Sequence, residues 1–337
     1  MQYVMLKDVC VINMGQSPNS DSYNDDGEGV PFFQGNADFG ERYPITRKWC
    51  TDPTKIAAPQ DILISVRAPI GAMNYAKENC CIGRGLAALT PDETKVSSEF
   101  IFWLLKGKNA ELNNKGTGST FKAIGRKVLE EIMIPDIPLE KQLGYSEILE
   151  KVYTVIQLRK TEIKKYDELI KARFVEMFGD PVANSKGLQT KDLKDVLILK
   201  AGDFTAASDI SNKPSKTNIY PCYGGNGIRG YVSEYNQEGE YSLVGRQGAL
   251  SGNVQLARGK FRNTEHALLV TPMIEMNSIW LNQLLYNLDL KRYQTGAAQP
   301  GLSVKNLQEI QILMVPINEQ NIFADFVHQV DKSKVVA

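Results

Sequence analysis

The sequence has few of the residues from which metal sites and most catalytic centres are built. Its 337 residues include two histidines, His266 and His328, and five cysteines with no Cys-x-x-Cys pair. Neither histidine stands with cysteines or carboxylates at the spacing of metal ligands, and His266 is read as a packed or surface residue. We therefore expect no metal and no cofactor on this chain. The odd cysteine number indicates reduced thiols and a cytoplasmic protein, with Cys80 and Cys81 as small buried hydrophobic residues.

Several motifs and runs are also missing. There is no GxxxxGK[ST] phosphate loop, no glycine-rich turn of a nucleotide-binding βαβ unit and no Asn-Pro-Pro-aromatic base-extrusion motif. No apolar run approaches the roughly 18 residues of a membrane span, and the N-terminus lacks the features of a signal peptide. Lys plus Arg and Asp plus Glu are balanced at 39 each, so net charge favours no partner. These absences argue against a self-contained methyltransferase or nuclease and against a membrane protein.

One segment occurs twice, 178 residues apart. Residues 117–142 read TGSTFKAIGRKVLEEIMIPDIPLEKQ, and residues 295–320 read TGAAQPGLSVKNLQEIQILMVPINEQ. Without a gap, the two share Thr117/Thr295, Gly118/Gly296, Lys127/Lys305, Leu129/Leu307, Glu131/Glu309, Ile132/Ile310, Pro138/Pro316 and Gln142/Gln320. The period exceeds the roughly 20–50 residues of a solenoid repeat and is the size of a domain. The chain is therefore predicted to contain two similar domains.

Shorter matches in the same order support a duplicated domain. LKDV occurs at 6–9 and at 193–196, and ILISVRAPIG at 62–71 aligns with YSLVGRQGAL at 241–250. This alignment places Arg67 opposite Arg246, and a third match places Asn36 opposite Asn226. The offset varies between 177 and 190 residues, as expected where surface loops change length while the framework is kept.

A long helix is predicted between the two copies. Residues 1–138 and 188–316 alternate short apolar runs with turn-rich stretches, which indicates strands and loops with short helices at 97–106 and 278–288. From Leu139 to about Phe178 apolar residues recur every seven positions, which is typical of a coiled-coil helix, and Gly179 begins its stop signal. The seam positions are Leu149, Ile156, Ile163, Ile170 and Met177. Arg159 and Arg173 interrupt the second seam position.

The predicted fold class is α+β, with two similar strand-rich domains joined by long coiled-coil helices and related as a pseudo-two-fold internal repeat. The first domain is predicted at 1–138, the long helix at 139–180, the second domain at 181–316 and a second helix at 317–337. After Gln142 the first helical arm has 38 residues to Asp180, whereas 17 residues follow Gln320. The second arm is therefore read as truncated by about five turns.

Glycine-rich turns in both copies carry amide, aromatic and basic side chains. They are PFFQGNADFG at 31–40 and YPCYGGNGIRG at 220–230. Their glycines are explained by positive-φ turns. Amides pair bidentately with adenine, and arginine pairs bidentately with guanine, in a DNA major groove. The candidate contacts are Gln34, Asn36, Tyr223, Asn226 and Arg229.

Two further loop families supply candidate contacts, each with a structural alternative. Arg67 and Arg246 end apolar strands, where an arginine forms either a structural salt bridge or a contact with DNA, to phosphate ahead of base edges. Small hydroxyl residues beside glycines expose backbone N–H groups that suit a phosphate, or they cap a helix. This family contributes Thr117, Ser119, Lys122 and Gln299.

The whole pattern resembles the specificity subunit of type I restriction–modification enzymes. KVLEEIMIPDIPLEKQ at 127–142 and KNLQEIQILMVPINEQ at 305–320 carry the resemblance most strongly, supported by YPCYGGNGIRGY at 220–231 and DILISVRAPIG at 61–71. The resemblance implies two target-recognition domains, each recognising one half of a bipartite, asymmetric double-stranded DNA target. It further implies antiparallel spacer helices that fix the half-site distance and bind methyltransferase subunits. Those subunits bind S-adenosylmethionine and methylate adenine, and a motor-nuclease subunit joins them for cleavage.

Two other function classes remain open. A self-contained methyltransferase or nuclease would transfer methyl groups or cut DNA without a partner. A pure coiled-coil scaffold would bind protein through both domains and show no DNA sequence preference. The specificity subunit, a non-catalytic DNA-binding protein, is the leading hypothesis.

Overall fold

The computed structural model describes residues 2–118, 122–296 and 301–336. The chain divides into two compact units, Met1–Gln157 (unit 1) and Leu158–Ala337 (unit 2). Both combine helices and strands, which confirms the predicted α+β class. The division falls inside the long helix, so each unit contains part of it. The four predicted domains and helices differ in function, whereas the two units are defined by contacts between residues. The four-part division therefore stays a prediction.

Unit 1 is built from short strands, and all but one of its helices follow Pro91 in the sequence. Its strands are β1 (Tyr3–Met5), β2 (Cys10–Met14), β3 (Tyr23–Asn24), β4 (Val30–Phe33), β5 (Trp49–Cys50), β6 (Ile56–Ala57), β7 (Ile62–Ser65), β8 (Met73–Tyr75), β9 (Cys80–Ile82), β10 (Leu86–Pro91) and β11 (Met133–Pro135). Its helices are α1 (Leu6–Val9), α2 (Ser98–Gly107), α3 (Asn109–Asn114), α4 (Arg126–Glu130) and the first part of α5 (Leu139–Phe178).

The strands of unit 1 form a four-stranded sheet in the order β2-β10-β7-β8, a five-stranded sheet in the order β3-β5-β4-β9-β6, and the pair β1-β11. β7 is buried along its whole length, as its continuous apolar run ILIS requires. Its side chains alternate between faces, so Ile62 and Ile64 enter one core and Leu63 enters another. Ser97 is the N-cap of α2, and its hydroxyl accepts a hydrogen bond from Phe100 N.

Unit 2 repeats this plan with longer strands. Its strands are β12 (Thr190–Asp192), β13 (Leu197–Ala201), β14 (Tyr220–Gly224), β15 (Gly227–Val232), β16 (Gln237–Gly245), β17 (Val254–Asn263), β18 (Ala267–Pro272) and β19 (Gln311–Leu313). Its helices are α6 (Leu193–Val196), α7 (Ser278–Asn287), α8 (Val304–Leu307) and α9 (Ile317–Val336). One six-stranded sheet has the order β13-β18-β16-β17-β14-β15, and β12 pairs with β19.

The backbone hydrogen bonds confirm the duplication. The LKDV sequences form α1 and α6, whose first residues donate to equivalent carbonyls, Leu6 N to Ile132 O and Leu193 N to Ile310 O, both at 2.8 Å. Each LKDV helix follows a strand that pairs antiparallel with the strand before the next long helix, β1 with β11 and β12 with β19. The two copies therefore share a framework as well as a sequence pattern.

A buried glutamine closes this framework in each unit. Gln142 Oε1 accepts from Ser97 N at 2.9 Å, and Gln320 Oε1 accepts from Asn277 N at 2.8 Å. The same side chains donate to Ile137 O and to Val315 O, respectively. Each amide thereby joins the start of α2 or α7 to the first turn of α5 or α9. This role explains why glutamine ends the repeated segment.

The long helix begins and ends as predicted. Gly179 follows its last residue with φ +78° and donates to Val175 O at 2.8 Å, a left-handed C-terminal cap that glycine adopts at little cost. Within unit 2 the helix packs antiparallel to α9. The ring centroids of Phe174 and Phe323 are 5.5 Å apart. About two turns earlier on α5, Asp167 pairs with Lys334.

The five predicted seam positions of α5 lie in different environments. Ile170 is 3% exposed in the unit 2 core, and Met177 packs on that core, whereas Leu149, Ile156 and Ile163 are 39–45% exposed. Phe174 and Phe178, which lie outside the heptad pattern, are buried instead. The apolar seam is therefore covered only at its C-terminal end.

The predicted burial of Cys80 and Cys81 is confirmed, and the free thiols of Cys10, Cys50 and Cys222 are buried as well. Among the residues that the structure describes, no helix is both long and apolar enough to cross a membrane. Within the same residues, no group of three histidine, cysteine or carboxylate side chains is arranged to hold a metal ion.

Candidate nucleic-acid interface

In unit 1, three separate loops meet at the end of β7. Arg67 follows this strand and forms a β-bridge with Ala123, which in turn bridges Thr117. Ala68 N donates to Lys122 O at 3.0 Å. The structure therefore brings Arg67, Thr117 and Lys122 together from positions about 50 residues apart, with all three side chains exposed. We call this region the unit 1 corner.

Unit 2 has an equivalent region at the end of β16, the unit 2 corner. Gln247 forms a β-bridge with Gly301, which in turn bridges Thr295. Leu302 N donates to Arg246 O at 2.8 Å. Arg246, Gln247 and Thr295 line an open cavity of ≈ 600 Å³. The two repeated loop families therefore converge in both units.

The pairing of Arg67 with Arg246 predicted from the sequence is wrong by one residue. Val66 N donates to Gly85 O and Arg246 N to His266 O, while Ile124 N donates to Val66 O and Leu302 N to Arg246 O. These bonds make Arg246 the counterpart of Val66 and Gln247 the counterpart of Arg67. At this shared position Val66 is buried in the core, whereas Arg246 lines the cavity.

The predicted pairing of the glycine-rich turns, in contrast, is confirmed. Gly83 N donates to Phe33 O and Thr264 N to Tyr223 O, and these equivalent bonds place Asn36 opposite Asn226. Close backbone approach at both corners requires glycine: a Cβ on Gly85 would collide with Gln34 O, and a Cβ on Gly245 would collide with Gly225 O. In unit 2 the turn therefore lies against the strand end that leads to Gln247, and in unit 1 it lies against Gly85, whose carbonyl accepts from Val66 N.

The amide side chains of these turns have different partners. Gln34 is exposed, and its backbone N–H donates to Asp38 Oδ2 at 2.8 Å. Asn36 is half-buried and begins a 3₁₀ turn, Asn36–Asp38. Asn226 is exposed, and its Oδ1 accepts from Asn253 Nδ2 at 2.7 Å. Gln34 and Asn226 are thus the amides most available to a partner.

Tyr223 and Arg229 differ in how accessible their side chains are to a partner. The Tyr223 ring packs on Phe261 at 5.5 Å, and burial raises the pKa of its hydroxyl. The Arg229 stem lies over Gly224, and its side chain is exposed. Of the two, Arg229 presents a free charged group. Ser119 and Gln299 lie outside the described residues.

A stacked arginine anchors the loop that follows the Gln34 turn. The Arg42 guanidinium lies 4.5 Å from the Phe102 ring centroid, and its Nη2 is 3.0 Å from Glu150 Oε2. Tyr75 N donates to Arg42 O at 2.9 Å. Arg42 thereby ties the loop between β4 and β5 to α2 and to the long helix.

The basic residues at the corners differ from other basic residues in having no carboxylate partner. Lys115, Arg126 and Lys127 pair with glutamates within their own helical turns, and Arg258, Lys260 and Arg262 pair with carboxylates. Within ranges 2–118, 122–296 and 301–336, no carboxylate pairs with the basic side chains of Arg67, Arg84, Lys122, Arg229 and Arg246. Unpaired cations at the corners suit phosphate binding.

Sequence reasoning missed three residues at the corners. Arg84 is exposed and precedes Gly85, the residue that contacts Gln34 O. Gln247 stands at the position of Arg67, and His266 Nδ1 lies 2.7 Å from its Oε1. Gln247 was missed because the sequence alignment paired the two arginines, Arg67 and Arg246, and thereby placed Gln247 one residue out of register. The position of Arg84 between two glycines was a weak indication of an exposed, functional arginine in a turn.

A family model for the type I restriction modification DNA specificity domain matches residues 1–166 and residues 185–335. The chain belongs to this family. Among its relatives, the type I restriction enzyme MjaX specificity subunit of Methanocaldococcus jannaschii is 43% identical over 157 residues, which are 47% of this chain and 37% of the relative. The type I restriction enzyme EcoprrI specificity subunit of Escherichia coli is 40% identical over 167 residues, which are 49% of this chain and 39% of the relative.

A solved relative matches the fold over nearly the whole chain. The S subunit of a type I restriction-modification system from M. genitalium has a TM-score of 0.59 and 16% identity, and the match covers 99% of this chain and 90% of that one. At this identity the likeness concerns the fold alone. The aligned regions of the two curated relatives amount to less than half of their own lengths.

Proposed function

We propose that this chain is a specificity subunit that binds a bipartite, asymmetric target in double-stranded DNA, one part with each unit. The observation that carries the proposal is the repeated corner. In both units a glycine-rich turn, a strand end and a Thr-Gly loop meet through equivalent backbone bonds, and unpaired cations lie there. Because Arg67 and Gln247 occupy the same backbone position, the two corners present different chemistry, which suits an asymmetric target.

The division of labour between phosphate and base contacts follows from the side chains. Arg67, Arg84 and Lys122 of unit 1 and Arg229 and Arg246 of unit 2 supply charge to phosphates, which positions the protein without selecting sequence. Gln34 and Asn226 present amides of the kind that pair with adenine. The balanced net charge of the chain fits a protein that shares phosphate neutralisation with partner subunits.

The partners we propose are methyltransferase subunits and a motor-nuclease subunit, which perform the chemistry on DNA. The first half of α5 supports a partner surface, because Leu143, Ile148 and Val155 are 53–64% exposed there beside an open groove of ≈ 580 Å³ that Leu143 and Val155 line. In this assignment the chain has no catalytic residues, and the methyltransferase binds S-adenosylmethionine and methylates adenine. The reduced thiols favour a cytoplasmic assembly.

Salt dependence tests the phosphate contacts. In the full chain, Arg67→Ala with Lys122→Ala should weaken binding to a mixed-sequence duplex. The slope of log K against log salt should fall in magnitude by about 0.9 per lost contact. The matched control is Lys115→Ala with Lys127→Ala, which removes two ion-paired lysines of the same unit and should leave the slope unchanged. Equal slopes for the two double variants would contradict the assignment.

A further inference from the structure

Gln247 is the exposed side chain at the backbone position that Arg67 occupies in unit 1. Each residue follows a buried strand, β7 or β16, and each forms the β-bridge to the loop between the Thr-Gly sequence and the following helix. Arg67 is unpaired, whereas Gln247 is held by a neighbour. This difference at one position distinguishes the two corners.

The β17–β18 turn supplies the two side chains that hold Gln247, and a backbone N–H from the segment after β13 anchors them. Thr205 N donates to Glu265 Oε2 at 3.2 Å, and Glu265 Oε1 lies 3.0 Å from His266 Nε2. His266 Nδ1 lies 2.7 Å from Gln247 Oε1. The chain of contacts runs from the segment after β13, through the β17–β18 turn, to the end of β16. An exposed glutamine otherwise loses considerable rotamer entropy on binding, and these contacts remove part of that cost.

The contacts also orient the amide. An ionised carboxylate only accepts hydrogen bonds, so Glu265 requires a proton on His266 Nε2. On a doubly protonated ring His266 Nδ1 donates to Gln247 Oε1, whereas on a neutral ring Nδ1 accepts, which places the Gln247 amide nitrogen instead of Oε1 at this contact. Both arrangements hold one end of the amide and leave the opposite end for a partner. A held amide presents one fixed donor or acceptor, which is what discrimination between base edges needs.

We propose that Gln247 is a specificity-determining side chain of unit 2 that contacts a base edge, and that His266 and Glu265 are its positioning residues. The inference rests on the proposed DNA-binding function and deepens it. The two units then differ at the same position, with an arginine that contacts phosphate in unit 1 and an oriented glutamine that makes a single hydrogen bond to a base edge in unit 2.

Selection from a duplex library with randomised positions, by the full chain co-purified with a type I methyltransferase subunit, tests the inference. Gln247→Ala should lower discrimination at one base pair in one part of the selected motif by about 5- to 150-fold and leave the other part unchanged. Gln247→Arg should move the preference at that base pair towards guanine. The matched control Gln308→Ala, at an exposed glutamine of the same unit, should change neither part.

The positioning role has its own readout. His266→Ala should relax the preference at the same base pair while Gln247 is intact, and His266→Asn, which keeps a hydrogen-bonding group near Nδ1, should restore part of it. If Gln247→Ala leaves both parts of the motif intact, the inference is overturned while the proposed function stands. If the wild type selects no split motif, the proposed function fails, and this inference fails with it.

Discussion

Single side chains decide how the repeated framework is closed and what its corners present. Gln142 and Gln320 were visible in the sequence as identical letters at the end of the repeated segment. Their role was not, because it depends on backbone groups from a helix start about 45 residues away. These glutamines are 2–3% exposed, where a backbone N–H without a partner is costly.

Gln320→Ala should lower the free energy of unfolding of unit 2 by about 1–3 kcal/mol, because it leaves Asn277 N and Val315 O without their partner. Urea unfolding followed by the fluorescence of Trp280, which is buried in this unit, measures the change. Gln308→Ala, at an exposed position, should change it by less than about 0.5 kcal/mol. Equal unfolding midpoints for the two variants would refute this role.

The buried thiols make stability depend on alkaline pH. Burial raises the pKa of Cys10 and Cys80 to about 12, whereas a thiol of the unfolded chain ionises near about 8.5. Between these values the unfolded chain loses protons that the folded chain keeps, so stability falls as pH rises. Denaturation midpoints should therefore be highest below about pH 8 and should decline towards pH 11. Cys10→Ala with Cys80→Ala should flatten this decline, and an unchanged decline would argue against these thiols.

Arg246→Ala should weaken recognition of one part of the target and leave the other part readable. The guanidinium is unpaired and lines the unit 2 cavity, so its loss should cost contacts with DNA and little stability. Protection of a mapped target by footprinting measures the two parts separately. Loss of protection over both parts, or over neither, would mean that the contact assignment is wrong.

The register at this corner marks the limit of prediction at the residue scale. The strand ends were found because an apolar run leads into an arginine in both copies. The pairing of Arg67 with Arg246 followed from identical letters, whereas the hydrogen bonds pair Arg67 with Gln247. Side chains along a strand alternate between its two faces, so an alignment that is wrong by one residue places each side chain on the wrong face. The amino-acid composition of the aligned segments does not reveal such an error.

At the scale of elements, α5 was the most predictable part of the chain. Its heptads, the absence of proline and Gly179 define its extent, and Ser97 defines the start of α2. The short strands of unit 1 were predicted only as strand-and-loop character, because two- and three-residue strands carry no period. The burial of Phe174 and Phe178 was also missed, since it depends on α9 and α7 packing on the last turns of α5.

Aspartate substitutions along α5 should separate folding from partner binding. Ile156→Asp with Ile163→Asp changes exposed positions, so the chain should fold with an unchanged thermal midpoint and lose co-purification with its methyltransferase. Ile170→Asp places a charge in the unit 2 core and should cost several kcal/mol. Circular dichroism melting and pull-down distinguish these outcomes. If the Ile156→Asp, Ile163→Asp variant still binds the methyltransferase, these two seam positions do not belong to the partner interface.

At the scale of the whole molecule, the duplication could be read from the sequence and is matched by equivalent backbone hydrogen bonds in the two units. What composition could not supply is the asymmetry between them. Six strands form one sheet in unit 2, while unit 1 divides most of its strands between a four-stranded and a five-stranded sheet. Arg67 and Gln247 differ at one shared position. In the proposed function, a duplicated framework with different side chains at its corners recognises two different half-sites.

The most direct test of the account is a map of methylated adenines in cells that express the chain with its neighbouring methyltransferase. We expect a split motif, with two short defined parts separated by a fixed gap. Exchange of residues 181–316 for those of a relative should change one part and leave the other as it was. A contiguous motif, no methylation, or a motif unaltered by the exchange would contradict two DNA-reading units on one chain.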